Sequence, residues 1–264
     1  MYPVLFEIGN FFVSSLWVLV SVGFLVWGIA LIQLTQSQGL KMAFLVNSFF
    51  QMLFWGAVSG RVIYLLLNIS DVVADPKKLI PLRIISVWDR GFNFWGIVLG
   101  MFIYLYIATK KAEENTGKWL DILALAFLAA IPFGHIGALF EGLSYGKETD
   151  LPWGITFDSY TVPYTVPIHP TQIYALIYTL IIFVTLRLVL VKNHLKHDGD
   201  TTLVAALAYS TLRFIEEFFR GDEAFNFFGL NLAHWVCLAV FLFAGISLLF
   251  RYNRLNFLFK PKIP

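Results

Sequence analysis

Charged residues are scarce in this chain. They make up 14% of its 264 residues, while hydrophobic residues make up 58%, and ordinary soluble domains carry about 25% charged residues. Cys237 is the only cysteine, which excludes an intramolecular disulfide and a metal site built from several cysteines. The net charge is +2 and no basic run occurs, so nucleic acid is not an expected partner. We also expect no cofactor and no metal.

Long apolar blocks account for the rest of the composition. A helix needs about twenty apolar residues to cross a bilayer. Seven predicted spans come near that length, and they are Phe11 to Gln33, Ala43 to Leu67, Phe92 to Thr109, Leu120 to Phe140, Thr171 to Val191, Thr201 to Phe219 and Leu232 to Phe250. No soluble module separates them. We therefore predict one polytopic membrane domain over residues 1–264, all-α and with seven transmembrane helices.

Lys and Arg predict the orientation of these helices, because cytoplasmic loops carry an excess of both. With the N-terminus outside, the inner loops and the C-terminal tail hold more Lys and Arg than the outer segments do. The C-terminus is then inside. This orientation places the two longest loops, 70–91 and 141–169, on the outer face.

The sixth predicted helix contains charges that a membrane span normally excludes. Its sequence TLRFIEEFFRGDEA places Arg213, Glu217 and Arg220 within about 60° of one another, with Glu216 at the border. One interpretation is an ion-pair network that holds the helix to its neighbours. The other is an anion site, in which the guanidinium groups bind a phosphate and Glu217 orients them.

A further arginine, Arg61, lies inside the second predicted helix, between Gly60 and Tyr64. A charge inside a span is a functional hypothesis by default. Two alternatives stay open for Arg61. It can pair with Glu217 or Glu141, or it can be a second phosphate ligand.

Titratable residues gather between Phe133 and Tyr174. Glycines recur there at short intervals, which disfavours a regular helix and allows the backbone to approach a ligand closely. These glycines are Gly134, Gly137, Gly142 and Gly146. His135 is expected near the membrane interface beside Glu141, and both a structural and a functional role stay open for it.

The segment HPTQ, residues 169–172, precedes the fifth predicted helix. Pro170 suits the first helical position, and His169 or the loop before it is expected to cap the helix. Capping explains the proline and the threonine. It does not explain His169 and Gln172, which are therefore candidates for a functional role.

Five motifs occur in the order and at the helix positions of a known family. They are Gly60-Arg61, WDRGFNFWGI, GHIGALFEGLSYG, HPTQIYA and RFIEEFFR. They resemble the phosphatidylglycerol–prolipoprotein diacylglyceryl transferase family of bacterial inner membranes. The family patterns that correspond to the last four are W-x-G-G-M-S-F-H-G-G, G-R-I-G-N-F-x-N-x-E-x-x-G, H-P-[ST]-Q-L-Y-E and R-F-x-x-E-F-x-R. The resemblance covers most of the chain and implies seven helices with the N-terminus outside.

The chain departs from these patterns at several positions. Trp95 stands where the family has a histidine, His135 and Ala138 where it has Arg and Asn, and Leu143 and Ala175 where it has Glu. The matching positions are Arg61, Gly96, Gly137, Gly142, Gly146, His169, Gln172, Tyr174, Arg213, Glu217 and Arg220.

The resemblance implies a reaction. A diacylglyceryl group moves from phosphatidylglycerol to the lipobox cysteine thiol of a prolipoprotein signal peptide, the first step of lipoprotein maturation, and glycerol phosphate leaves. This chemistry needs a cationic site for the phosphodiester, a base for a thiol of pKa about 8.5 and a lateral opening to the bilayer. The alternative is a catalytically impaired lipid-binding member, which Trp95 and Ala138 favour. A transporter is less favoured, because the helices show no internal repeat.

The expected roles follow from this chemistry. Arg213 and Arg61 suit the phosphate, with Arg220 at the rim, and His135 is hypothesised to take part of the missing histidine's role as base. The expected catalytic residues are His135, Arg213, Glu217 and His169. The expected substrate-binding residues are Arg61, Gln172, Tyr174, Arg220, Glu141, Gly137, Gly142 and Trp95.

Overall fold

The computed structural model describes residues 4–9, 11–69, 93–157, 162–191, 195–222 and 226–252. Within these ranges the chain forms seven helices and two short β-hairpins. In chain order they are β1 (Val4–Ile8), β2 (Phe11–Ser14), α1 (Ser15–Ser37), α2 (Met42–Leu67), α3 (Phe94–Lys111), α4 (Thr116–Glu141), α5 (Thr171–Val191), α6 (Asp200–Glu217), β3 (Asn226–Phe227), β4 (Leu230–Asn231) and α7 (Leu232–Arg251).

Among the described residues, five helices are long and apolar enough to cross a membrane, namely α1, α2, α4, α5 and α7. Helix α6 is more polar, because Asp200, Arg213, Glu216 and Glu217 all lie on it. The fold is therefore that of a helical membrane protein, while the count of seven spans and their orientation stay predictions. The predicted outer loop 70–91 falls entirely outside the described residues.

The first helix begins later than its apolar run predicts. Phe11–Ser14 is a strand that pairs antiparallel with Val4–Ile8, so that Phe12 lies opposite Glu7. Gly9 between the strands has φ +60°, a conformation that glycine adopts without steric cost. The all-α prediction therefore misses this hairpin, because a short apolar run does not by itself distinguish a strand from a helix.

Glycine does not interrupt α4, although its frequency predicts an irregular segment. Gly134 and Gly137 lie within the helix. A Cβ on Gly137 would lie 2.8 Å from Cδ1 of Leu16 and 3.0 Å from its Cα. The missing side chain therefore lets α1 approach α4 closely.

The helix ends at the next glycine. Gly142 has φ +70°, its N–H donates to the Leu139 carbonyl at 3.4 Å, and the Leu143 N–H donates to the Ala138 carbonyl at 2.9 Å. This pair of hydrogen bonds is the Schellman motif, which needs a left-handed residue after the last helical turn. Gly142 is therefore the stop signal of α4.

The described chain divides into two compact units, residues 1–34 with 117–264, and residues 35–116. In the smaller unit α2 packs against α3. The Ser59 hydroxyl donates to the Gly96 carbonyl at 2.6 Å, and a Cβ on Gly96 would lie 2.9 Å from the Cα of Gly60. The missing side chain of Gly96 therefore lets α3 approach α2 closely.

In the larger unit α6 packs against α5 and α7. Carboxylates fix its N-terminal end, where Asp121 of α4 accepts the Gly199 N–H at 2.8 Å. The fully buried Asp200 pairs with Arg251 at 3.1 Å and accepts the Tyr252 hydroxyl at 2.8 Å. The other end of α6, about 27 Å away at 1.5 Å per residue, contains the candidate site.

Candidate active site

Four charged residues form one network at the C-terminal end of α6. Arg213 lies 2.7 Å from Glu217 and 3.3 Å from Glu216, and Arg220 lies 3.7 Å from Glu217. The two glutamate side chains are only 6% and 4% exposed. The prediction that Arg213, Glu217 and Arg220 come together is confirmed, although Arg220 lies three residues beyond the last residue of α6.

Neighbouring helices hold both carboxylates. The Tyr178 hydroxyl of α5 donates to Glu216 at 2.7 Å, and the Asn231 amide, just before α7, donates to Glu217 at 3.1 Å. Sequence reasoning placed Glu216 only at the border of the stripe and did not find Tyr178 or Asn231. The sequence did contain one signal for such partners, which is the pair of glutamates in an apolar helix. Buried carboxylates require hydrogen-bond donors.

Arg220 has a carboxylate of its own. Its Nε donates to Asp222 at 2.8 Å, and its Nη2 donates to the second Asp222 oxygen. Burial lowers the pKa of Arg220, but the hydrogen bond and charge of Asp222, with the charge of Glu217, outweigh it and raise the pKa. Both arginines of the network are thus paired with carboxylates, so an anion that binds here has to share them with those carboxylates.

His169 and Tyr174 lie together beside the end of α6. Nδ1 of His169 is 3.1 Å from the Tyr174 hydroxyl, which also accepts the Trp153 indole N–H at 2.8 Å. The His169 ring lies 5.0 Å from the Phe219 ring, centroid to centroid. Burial lowers the pKa of His169 below its usual value, so the ring is neutral at pH 7. Two predicted site residues therefore adjoin the network.

Gln172 holds the loop that follows α4. Its side chain is buried, and its amide donates to the Leu143 carbonyl at 2.7 Å. Thr171 donates to the Ser144 carbonyl at 2.5 Å. The Gln172 side-chain carbonyl is buried without a hydrogen-bond partner among the described residues. The Gln172 side-chain amide thus fixes the loop that follows α4.

His135 lies on α4, and the positive charges of Arg213 and Arg220 act on its ring. Its Nε2 is buried and has no hydrogen-bond partner in the described part of the chain. Glu141 is not beside it. Six helical residues separate the two by roughly 120° around the axis, and Glu141 accepts a hydrogen bond from Ser14 of β2. The structure thus separates the two residues that the sequence placed together.

Arg61 and Trp95 belong to the smaller unit. The Arg61 guanidinium lies 5.6 Å from the centroid of the Tyr64 ring, within the range of a cation–π contact. Trp95 is in the first turn of α3, and its side chain is not among those that the structure describes. A role for either residue in substrate binding stays a prediction.

A cavity of about 530 Å³ lies at the end of α6. Lys147, Glu217, Arg220, Asn231 and His234 are among its lining residues. The sequence did not identify Lys147 or His234 as site residues. The loop that contains Lys147 and the helix α7 that contains His234 come to the cavity only in the folded chain. The cavity has cationic and anionic groups on its walls, as a site for a polar headgroup requires.

Comparison with known proteins assigns the chain to a family. A family model described as prolipoprotein diacylglyceryl transferase matches residues 3–251. A Clostridium tetani protein named phosphatidylglycerol–prolipoprotein diacylglyceryl transferase is 28% identical over 239 residues, 90% of this chain and 93% of that protein. A Clostridium perfringens protein of the same name, numbered 2, is 28% identical over 76% of this chain and 75% of its own length. A Campylobacter lari protein with that name is 32% identical over 58% of this chain and 55% of its own length. Because the family model spans nearly all of it, the chain belongs to the prolipoprotein diacylglyceryl transferase family.

Proposed function

We propose that this protein transfers the diacylglyceryl group of phosphatidylglycerol to the lipobox cysteine thiol of prolipoproteins, the first step of lipoprotein maturation. The family match over residues 3–251 supports the reaction. The single structural observation that carries it is the arginine–glutamate network beside a cavity of about 530 Å³. The partners are phosphatidylglycerol, the prolipoprotein signal peptide and the bilayer.

The protein is a multi-pass protein of the bacterial cytoplasmic membrane. In our proposal seven helices span the bilayer as one domain, with the N-terminus outside and the C-terminus inside. In the part of the chain that the structure describes, five helices have the required length and hydropathy. The site at the end of α6 then lies toward the outer face.

The reaction forms one bond and breaks another. The cysteine sulfur attacks the glyceryl carbon, the carbon–oxygen bond to phosphate breaks, and glycerol phosphate leaves with the electron pair. The thiol proton passes to a base. Positive charge near the phosphate stabilises the leaving group in the transition state.

Arg213 and Arg220 supply this positive charge in our proposal. Each guanidinium is held by a carboxylate, Arg213 by Glu217 at 2.7 Å and Arg220 by Asp222 at 2.8 Å. Such pairing orients the planar donors before the lipid binds. Arg61 is proposed as a further phosphate ligand.

His135 is the proposed base. Its buried Nε2 has no hydrogen-bond partner among the described residues, so it can accept a proton from the substrate thiol. His169 is the second candidate, although its Nδ1 is engaged with Tyr174 at 3.1 Å. Proposed supporting roles are positioning for Gln172 and Tyr174, close helix packing and helix termination for Gly137 and Gly142, anchoring of the N-terminal hairpin for Glu141, and contact with the lipid for Trp95.

The proposal is tested with purified protein, phosphatidylglycerol and a lipobox peptide. We expect release of glycerol phosphate together with the mass increase of a diacylglyceryl group on the peptide. Arg213→Lys keeps the charge and removes the planar fork, so it should lower turnover at least about tenfold, and Lys196→Arg in an exposed loop should change nothing. Lipid binding without any transfer by the unaltered protein would contradict the proposal.

A further inference from the structure

His234 lies at the start of α7, and only one of its two ring nitrogens has a hydrogen-bond partner among the described residues. The Asn231 backbone N–H donates to its Nδ1 at 3.2 Å. A ring nitrogen that accepts a hydrogen bond carries no proton, so the neutral ring carries its proton on Nε2. His234 is therefore held as a hydrogen-bond donor through Nε2.

This donor has nothing to donate to in the described part of the chain. The side chain is only 4% exposed, and Nε2 is buried without a hydrogen-bond partner among those residues. A buried donor without a partner lowers stability. Two aromatic rings hold the imidazole, Phe218 at 4.5 Å and Phe214 at 4.9 Å between centroids, so the ring is not free to turn toward water.

The surroundings of His234 favour an anion. It lines the cavity of about 530 Å³ together with Lys147 and Arg220. The Lys147 ammonium lies at the end of α6, where it donates to the Phe218 carbonyl at 2.9 Å. His234 is also in the first turn of a 20-residue helix, and a helix N-terminus attracts negative charge.

We propose that His234 is a phosphate-binding residue, whose Nε2–H donates to a phosphate oxygen in this cavity, with Lys147 and Arg220 as its cationic neighbours. The ligand is a phosphate ester of glycerol, either the headgroup of phosphatidylglycerol or the glycerol phosphate that leaves. This assignment rests on the proposed function. In this assignment the neutral His234 ring adds a hydrogen-bond donor to the charged network. A neutral donor binds phosphate and needs no further carboxylate to balance its charge.

Inhibition by glycerol phosphate tests the assignment. His234→Phe keeps a ring between the two phenylalanines and removes the donor, so the inhibition constant of glycerol phosphate should rise about tenfold, as expected for the loss of one hydrogen bond to a charged group. His234→Gln keeps a donor and should stay within about threefold of the unaltered protein. His197→Phe is the matched control, because His197 precedes the opposite end of α6. An unchanged inhibition constant of glycerol phosphate in His234→Phe, together with an unchanged KM for phosphatidylglycerol, would overturn the proposal.

A direct measurement on the unaltered protein covers the case in which His234→Phe does not fold. With ¹⁵N-labelled histidine in detergent, the signal that is missing in His234→Gln belongs to His234. Its Nε2 resonance should shift when glycerol phosphate is added or when the protein is placed in phosphatidylglycerol nanodiscs, and the absence of a shift under both conditions would overturn the proposal. A similar shift with inorganic phosphate supports a site for the phosphate group itself, whereas a shift seen only in phosphatidylglycerol nanodiscs supports a site for the intact headgroup.

The two proposals fail in different ways. A shift of the His234 signal without any transfer to a lipobox peptide would contradict the proposed reaction and leave the phosphate site standing. Normal transfer with an unchanged inhibition constant and an unchanged KM for phosphatidylglycerol in His234→Phe would contradict the phosphate site alone.

Discussion

Nη2 of Arg213 lies 2.7 Å from Oε2 of Glu217, whose side chain is only 4% exposed. The same oxygen lies 3.7 Å from Nε of Arg220. One buried carboxylate therefore sits between two guanidinium groups. A phosphate that binds to both arginines therefore enters a network in which carboxylates already balance the positive charge. The Glu217 carboxylate also sets the position of the guanidinium donors.

Glu217→Gln should damage both stability and activity. The amide keeps the size of the side chain but removes the negative charge between the two arginines, and removal of one member of a buried ion pair typically costs about 3–5 kcal/mol. We expect the free energy of unfolding in mixed micelles to fall by about that amount, and transfer to a lipobox peptide to slow by at least about tenfold.

Glu148→Gln is the matched control, since it makes the same chemical change in an exposed loop residue. It should leave both quantities close to those of the unaltered protein. If Glu217→Gln behaved like this control, Glu217 would not be the residue that orders the network.

Tyr178→Phe tests the support of the network from α5. The Tyr178 hydroxyl donates to Glu216 at 2.7 Å, and a hydrogen bond to a charged group contributes about 1.5–3 kcal/mol. We expect a loss of that order in the free energy of unfolding. Turnover should also fall, because Glu216 pairs with Arg213 at 3.3 Å. Tyr106→Phe, at a half-exposed position, is the control, and equal effects of the two changes would argue against a role for Tyr178.

The helices could largely be predicted from the sequence, and their contacts could not. Helix α5 begins at Thr171 and ends at Val191, as its apolar run predicts. The strand at Phe11–Ser14 was missed, because an apolar run of four residues has no period that separates strand from helix. Length and capping residues are local properties, so they are visible in a sequence.

The charged row at the end of α6 could likewise be predicted, because residues three and four apart are neighbours on a helix and the turn after Glu217 continues to Arg220. Tyr178 and His234 could not. They reach the network from α5 and α7, and the rotation of one helix against another depends on how side chains interdigitate over the whole contact. No spacing within a single segment contains that information.

Gly134 within α4 and Gly142 just after it should respond in opposite ways to alanine. A Cβ on Gly134 meets nothing within 4 Å, and its position inside α4 favours alanine, so Gly134→Ala should raise the free energy of unfolding by about 0.5–1 kcal/mol. Gly142 has φ +70°, so Gly142→Ala should lower it by about 1–2 kcal/mol. Unfolding of the two variants in mixed micelles measures both effects. Destabilisation by Gly134→Ala would contradict the open surroundings of that residue.

The stability of the protein should decrease with acid partly because of His169. Burial lowers the pKa of His169 in the folded protein, while the unfolded chain keeps the usual value of about 6.5. As the pH falls below that value, the unfolded chain takes up the proton first, so its free energy falls relative to the folded state. The contribution of His169 to stability is therefore complete above about pH 6.5, and it is lost as the pH falls through the lower pKa of the folded protein.

The variant His169→Gln can still bond to Tyr174, and it should reduce the fall in unfolding temperature between about pH 8 and about pH 5. The control is His197→Gln, at a side chain 48% exposed, which should change this fall less. An identical fall in the unaltered protein and in His169→Gln would mean that His169 is solvated in the folded state.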